Sequence, residues 1–536
     1  MKAINLFTMK KIILLAGFLA ASYFTQAQNL TTQKNWFTLD YTQDGIRGMS
    51  VEKAYQTLLK NRPSQKVLVA IIDSGVDILH EDLQGKIWVN SGEIPGNGKD
   101  DDKNGFIDDV HGWDFLGAAD GRDIREEQLE ITRMYAELLP VFGSNPSKKT
   151  IRKQKATYEA WKTWGAEIEA KKAESAEYLK MYQDLYNSYR LAVSQLTDLV
   201  PSPPTEASVR ALDDSKLDRT QRQAKQYFLQ MAGKGITQRE FEEAIKHFES
   251  QTKYAYNPNH TIRKIVGDNP TKLEYGQYGN NEVVGPDASH GTHVAGIIGA
   301  VRGNGIGVDG VANQVSLMVL RCVPDGDERD KDVANAIRYA VDNGAQIINM
   351  SFGKKYSPQK KWVDDAVLYA QSKGVLLVAA AGNDNANTDT DTHYPTDLLL
   401  GGKTVANWIS VGAQNHLEGS EMVAEFSNFG KQTVDVFAPG VAIYSTYPNS
   451  TYKEENGTSM AAPAVTGVAA LLKSYFPMLK AGEIKDIILT SATRFPELKV
   501  SRPGSNVLIP FSDLSQTGGV VNAYEAVKLA IERTKP

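Results

Sequence analysis

From Val67 to Asn383, with a middle segment set aside, short apolar runs alternate with amphipathic stretches. Residues 67–72, 315–323, 346–350 and 375–381 are almost wholly apolar, and such short runs predict strands buried on both faces. Between them Val333, Ala336, Ile337, Ala340 and Val341 fall at i, i+3, i+4, i+7 and i+8, and Val363, Ala366, Val367 and Ala370 repeat the pattern. That spacing predicts helices with one buried face. Strand, helix, strand, helix implies an α/β fold in three layers: a mostly parallel sheet flanked by helices on both sides.

Residues 124–254 break this pattern. They are rich in Lys, Glu, Gln, Ala and Tyr, show almost no alternation, and are interrupted at Pro146 and at Pro201, Pro203 and Pro204. Leu179, Tyr182, Tyr186, Tyr189 and Val193 form a seam suited to packing on another helix. With Trp161 and Trp164 nearby, the segment is too aromatic for a solvated spacer, and an all-helical insertion is expected.

The first residues carry Lys2, Lys10 and Lys11, then an apolar run over 12–24, then Thr25, Gln26 and Ala27. This is the form of an export signal cut after Ala27, and the run is shorter than the roughly 20 residues that span a bilayer. The expected organisation is therefore a signal at 1–27, a first part of the α/β domain at 28–123, the helical insertion at 124–254, and the remainder of the domain at 255–536. An exported chain that does not span the membrane, placed in the periplasm or outside the cell, follows from this reading.

Composition narrows the partners. Of 536 residues, 41% are apolar and 23% charged, which suits a globular core. Lys and Arg total 59 against 64 acidic residues, so the net charge of -5 gives no reason to bind nucleic acid or an anionic membrane. The single cysteine, Cys322, excludes an intrachain disulfide and any multi-thiolate metal site, and its apolar surroundings predict a buried thiol.

Three segments carry candidate chemistry. Asp73 ends the apolar run 67–72, at the strand edge where parallel sheets place their ligands. Ser289-His-Gly-Thr-His-Val-Ala-Gly296 reads as a helix start; its two histidines at i and i+3 suit either a shared metal or a histidine buried with its hydrogen bonds satisfied. Asn456-Gly-Thr-Ser-Met-Ala-Ala-Pro463 puts Ser459 at the start of an apolar helix, where an ordinary N-cap or an exposed nucleophile would sit.

Together these segments closely resemble the subtilisin-like serine peptidases (subtilases, peptidase family S8), in which an acid, a histidine and a serine follow in that chain order. The resemblance covers roughly 67–113 and 285–530. It implies that Ser459 is the nucleophile, His290 the general base and then acid, and Asp73 the carboxylate that orients the imidazole. Val378-Ala-Ala-Ala-Gly-Asn383 matches the segment bearing the oxyanion asparagine, which makes Asn383 the side-chain donor. Ser351, Phe352 and Gly353 match the segment that pairs with substrate backbone and walls the first specificity pocket. Phe426 to Gly430, Ala438 to Gly440 and Gly519 to Tyr524 are also family-like.

The implied function is a secreted serine endopeptidase acting on proteins or peptides through an acyl-enzyme, with no cofactor for catalysis. The alternative is a catalytically silent, peptide-binding scaffold that keeps the fold.

Two loops stand apart from that chemistry. In the acidic stretch 97–109, Asp100, Asp102, Asn104 and Asp108 fall at positions 1, 3, 5 and 9 of a calcium loop, although His111 stands where a bidentate Glu is expected. A structural Ca2+ is expected there. Gly305-Ile-Gly-Val-Asp-Gly310 has the spacing of a dinucleotide loop but follows a helix and precedes a strand, the reverse of the required context, so no nucleotide is expected.

Overall fold

The computed structural model describes residues 34–276 and 278–535, so the export-signal reading of 1–27 lies outside the described residues. The chain divides into two compact units, one of Thr32–Glu130 with Thr261–Pro536, the other containing Ile131–His260.

The larger unit is built on a nine-stranded sheet. Its strands in chain order are β1 (Val67–Asp73), β2 (Gly112–Asp114), β3 (Val315–Arg321), β4 (Ile347–Met350), β5 (Leu376–Ala380), β6 (Trp408–Gln414), β7 (Val436–Pro439), β8 (Thr493–Arg494) and β9 (Gly519–Val520). In space they run β8-β9-β7-β6-β5-β4-β1-β3-β2, all pairs parallel except β8 with β9. The chain leaves β1 for the edge strand β2, returns to β3 between the two, crosses to β4 on the other side of β1 and moves outward through β5, β6 and β7, after which β8 takes the far edge and β9 fills the place between β8 and β7. The direction of winding thus reverses at β1, and the crevice outside the carboxyl ends of β1, β4 and β5 is where such sheets bind ligands.

Six helices cover the sheet: α1 (Ser289–Gly299), α2 (Asp330–Asp342), α3 (Lys360–Ser372), α4 (Thr458–Tyr475), α5 (Ala481–Thr490) and α6 (Ala523–Arg533). Val67, Val69 and Ile71 of β1 join Ile297 and Ile298 of α1 and Val465 and Val468 of α4 in one core. The intervening Ala70 and Ile72 join Val333 and Ile337 of α2 and Val363 and Val367 of α3 in a second core. Successive strand residues point to opposite faces, and both faces are covered, which is why β1 reads as a continuous apolar run. Each fully buried Val or Ile contributes roughly 1.5–3 kcal/mol relative to exposure. Cys322 lies in the second core with no exposure, and burial pushes its thiol well up.

The second unit is helical. Lys155–Leu196 is a single helix of 42 residues, followed by Arg219–Ala232 and Gln238–Ser250. Its core gathers Tyr189, Leu196, Val209, Phe228, Met231 and Phe241, with Tyr182, Tyr186 and Val193 packed against them. The unit starts and ends later than the 124–254 read from the sequence. Residues 124–130 are fastened to the larger unit instead: Arg321 donates to Ile124 O, and Lys354 Nζ donates to Glu130 Oε2 at 2.7 Å.

Candidate active site

Asp73 is the last residue of β1, in register with Arg321 of β3, and its side chain is 1% exposed. One oxygen, Oδ1, accepts from Ser74 N and lies 2.7 Å from His290 Nδ1. The other, Oδ2, is buried without a hydrogen bond among the described residues. The close approach of α1 makes this pair. A Cβ on Gly291 would fall 2.1 Å from Gly75 O and 3.2 Å from Asp73 Cβ, so a side chain there would lift His290 off the carboxylate.

The His290 side chain is 38% exposed, so one face of the ring stays open to solvent while its Nδ1 edge is fixed. Burial of the ring disfavours its charged form. The Asp73 charge and hydrogen bond outweigh that, with help from Glu455 and Asp287, and hold the pKa above the ordinary histidine value. His293, the other member of the pair, turns away: its Nε2 lies 3.0 Å from Lys453 O, and burial pushes its pKa down to about 3. The two rings therefore do not converge on a common ligand.

Ser459 sits in the first turn of α4. Every residue from Thr458 to Leu472 is buried except Ser459. Its Oγ donates to Ser351 O at 3.1 Å, while Ser351 Oγ donates back to Ser459 O at 2.9 Å. In this rotamer Ser459 Oγ makes no hydrogen bond to His290 among the described residues. Ser459 N, in the first turn, has no intrahelical acceptor.

Asn383 follows β5 by three residues. Its Oδ1 accepts from both Thr458 N and Thr458 Oγ1 at 2.9 Å, which fixes the amide with Nδ2 turned the other way. A Cβ on Gly457 would lie 3.5 Å from Ser459 N and 3.6 Å from Asn383 Nδ2, so both donors border the same open face of that glycine.

Ser351, Phe352 and Gly353 continue β4 into this crevice. Asn349 Nδ2 donates to Ser351 Oγ at 3.0 Å, and Thr466 Oγ1 donates to Asn349 Oδ1 at 2.8 Å, so β4 is tied to both ends of the first half of α4. Thr458, Asn349 and Arg321 escaped the sequence reading. Arg321 Nε donates to Ser74 O at 2.8 Å and Nη1 to both oxygens of Asp114 at 3.0 Å, anchoring the tip of β1 beside Asp73. The Asn383-Thr458 contact spans 75 residues, and no local pattern announces it.

The acidic loop closes differently from a calcium-binding hand. Glu93, Asp100 and Asp102 bring one oxygen each to within 4.8 Å of one another. Asp108 is turned to the loop's own amides, accepting from Asn97 N and Gly98 N, and Asn104 donates to Asp102 and Asp109. His111 Nδ1 lies 2.8 Å from Trp88 O. The carboxylates that converge thus include Glu93, which the spacing did not mark, and leave out Asn104 and Asp108. Three such oxygens repel one another without a cation, and their hard donor character suits Ca2+. The glycine-rich loop 305–310 is held by Asp82, whose Oδ2 accepts from Val308 N at 3.0 Å.

A parallel sheet with an acid–histidine pair at its carboxyl edge and a serine at a helix start is the arrangement of a serine peptidase. Residues 64–506 match the Subtilase family (Peptidase_S8), and the chain belongs to that family. It is 36% identical to Subtilisin DY of Bacillus licheniformis over 237 residues, which cover 44% of this chain and 79% of that one. It is 38% identical to Thermitase of Thermoactinomyces vulgaris over 240 residues, covering 45% and 75% respectively. Subtilisin E of Bacillus subtilis is 40% identical over 210 residues, with 38% of this chain matching 51% of that relative, about half its length. Among solved structures, a protease from Pseudoalteromonas arctica aligns at a TM-score of 0.38 and 30% identity, covering 48% of this chain and 75% of that one. Family membership makes the chain a subtilisin-like serine peptidase whose substrates are proteins or peptides. No helix among the described residues is long and apolar enough to cross a membrane.

Proposed function

We propose that the chain is an exported serine endopeptidase working through an acyl-enzyme, with Asp73, His290 and Ser459 as its triad. The observation that carries this reading is the buried Asp73 carboxylate bonded at 2.7 Å to an imidazole whose other face is open. Substrate backbone lies in extended form along 351–353, pairing by main-chain hydrogen bonds. Ser459 Oγ turns from Ser351 O toward His290 Nε2, loses its proton to that nitrogen, and attacks the scissile carbonyl. Asp73 holds the proton on Nδ1 and stabilises the imidazolium without itself taking a proton. Negative charge on the former carbonyl oxygen is met by Ser459 N and Asn383 Nδ2, at the positive end of α4. The imidazolium then protonates the leaving amine, and water repeats the sequence on the acyl-enzyme.

The converging oxygens of Glu93, Asp100 and Asp102 would hold a structural Ca2+. The chemistry of the triad needs no cofactor.

A serine-directed phosphonofluoridate tests the reading. Stoichiometric labelling of Ser459 with loss of hydrolysis is expected. Ser459→Ala should keep its melting temperature and lose about 10⁶ in kcat, the size of loss known for the nucleophile of a subtilisin. Folded protein that takes no label, or a variant that hydrolyses near the wild-type rate, leaves a peptide-binding scaffold instead.

A further inference from the structure

Ser459 O is an acceptor that its own helix cannot use. In an α-helix that carbonyl takes the N–H four residues on, and the residue there is Pro463, which has none. Ser351 Oγ supplies the missing donor at 2.9 Å. Because a carbonyl oxygen only accepts, the Ser351 hydroxyl proton is committed to it, and Ser351 Oγ enters its other bond as an acceptor. The amide of Asn349 makes that bond, Nδ2 donating at 3.0 Å, which leaves Oδ1 to receive the Thr466 hydroxyl at 2.8 Å. The direction of every bond in the line from Thr466 through Asn349 and Ser351 to Ser459 is thus set from the reacting residue outward.

The two elements aim this line at each other. Asn349 and Ser351 stand at i and i+2, on the side of β4 from which Ile347 joins the core of α1 and α4. Thr466 lies about two turns of α4 beyond Ser459, on the same side of the helix. A threonine inside a helix ordinarily returns its hydroxyl to the carbonyl one turn back, whereas Thr466 sends its proton across to β4. Asn349 and Thr466 are wholly buried, and Val465 and Val468 flank Thr466 in the apolar core. An apolar pair would fill that space with no polar atom to satisfy, and a buried polar network holds only when complete. Its far end is the residue whose hydroxyl reacts.

We propose that Asn349 and Thr466 are positioning residues for the reacting serine: by holding Ser351 Oγ as the donor to Ser459 O, they fix the turn from which Ser459 N and Oγ work. The inference rests on the peptidase reading, in which Ser459 Oγ leaves Ser351 O for His290. Of the two bonds between Ser351 and Ser459, the one from Ser351 Oγ to Ser459 O survives that movement. It keeps Ser459 N in place for the developing oxyanion while Oγ turns.

The test uses the full chain, one fluorogenic peptide and the phosphonofluoridate. Thr466→Val keeps the shape of the side chain and loses its donor, whereas Thr466→Ser keeps the donor. The first should lower kcat about tenfold or more with KM within about threefold, a misplacement of about 1 Å being enough to cost about 10²-fold. Labelling of Ser459 should slow in proportion. Thr466→Ser should hold kcat within about threefold of wild type. The Asn349→Leu, Thr466→Val double variant separates position from stability. With both partners replaced by apolar groups of similar shape, its melting temperature should return toward wild type while kcat stays low. Wild-type kcat in Thr466→Val or in the double variant overturns the proposal. So does a change confined to KM, or a kcat that recovers in step with the melting temperature, which marks a purely structural network. Should Thr466→Val alone not fold, the double variant decides. Active, labelled wild type with unmoved variants refutes the positioning alone, whereas a wild type that neither takes label nor cleaves the peptide refutes the peptidase reading beneath it.

Discussion

Three negative charges bear on His290: Asp73 in contact, then Glu455 and Asp287 at longer range. Together they raise its pKa above the ordinary 6.5. The raised value stabilises the fold fully at pH below the unfolded ring's pKa, and that contribution is lost as pH rises through the folded one. Catalysis runs the other way, because the general base must be neutral. The acid limb of kcat/KM is therefore expected to have its midpoint above pH 6.5. Glu455→Gln removes one charge without touching the triad, and with it the anion that offsets Lys453 at 2.6 Å. Both effects lower the midpoint, and the shift should shrink with added salt. A pH–rate profile of the two enzymes checks this; an unmoved or raised midpoint contradicts it. At this scale the sequence marks short words around Asp73, His290 and Ser459, and the structure brings the first two into contact at 2.7 Å. The sequence was silent on Thr458 and Glu93, whose roles depend on partners the spacing does not mark.

Strands and helices were legible in proportion to burial on both faces. The runs of β1, β3, β4 and β5 and the faces of α2 and α3 are apolar enough to stand out. β6 and β7 did not, because Ser410, Gly412 and Gln414 interrupt the first and Pro439 ends the second. Strands as short as Thr493–Arg494 and Gly519–Val520 exist only by virtue of their neighbours. The acidic loop poses the same problem, since its spacing pointed to Asn104 and Asp108 while its closure favours Glu93. If calcium neutralises Glu93, Asp100 and Asp102, a cation at about 100 times its Kd contributes about 2.7 kcal/mol. Chelation should then lower the melting temperature of wild type by a few degrees. An Asp100→Asn, Asp102→Asn double variant should start lower and no longer respond to chelator. A chelator effect of equal size in both proteins would remove the loop from consideration.

At the scale of the whole molecule, the helical character of the middle segment was legible from its want of alternation, but its limits were not. Residues 124–130 carry no strand or helix signature of the larger unit, yet Arg321 and Lys354 bind them to it. What remains, Ile131–His260, has the attributes of an independent folding unit. Its aromatic seam is internal: Tyr182 stacks on Phe248 at 5.5 Å, Tyr186 on Phe241 at 5.7 Å and Tyr189 on Phe228 at 5.8 Å. Capping boxes at Thr205, Asp218 and Thr237 close three helix starts with their own side chains. A long helix of modest propensity is stable in water mainly through such packing of one face. Residues 131–260 expressed alone should therefore give a strongly helical circular dichroism spectrum and a single cooperative unfolding transition. Phe241, 1% exposed, is the sharpest probe of that core. Phe241→Ala should cost the isolated unit about 3–5 kcal/mol, the usual range for emptying a buried aromatic site. A coil-like spectrum for 131–260, or a Phe241→Ala variant as stable as its parent, would mean that the segment draws its order from outside itself.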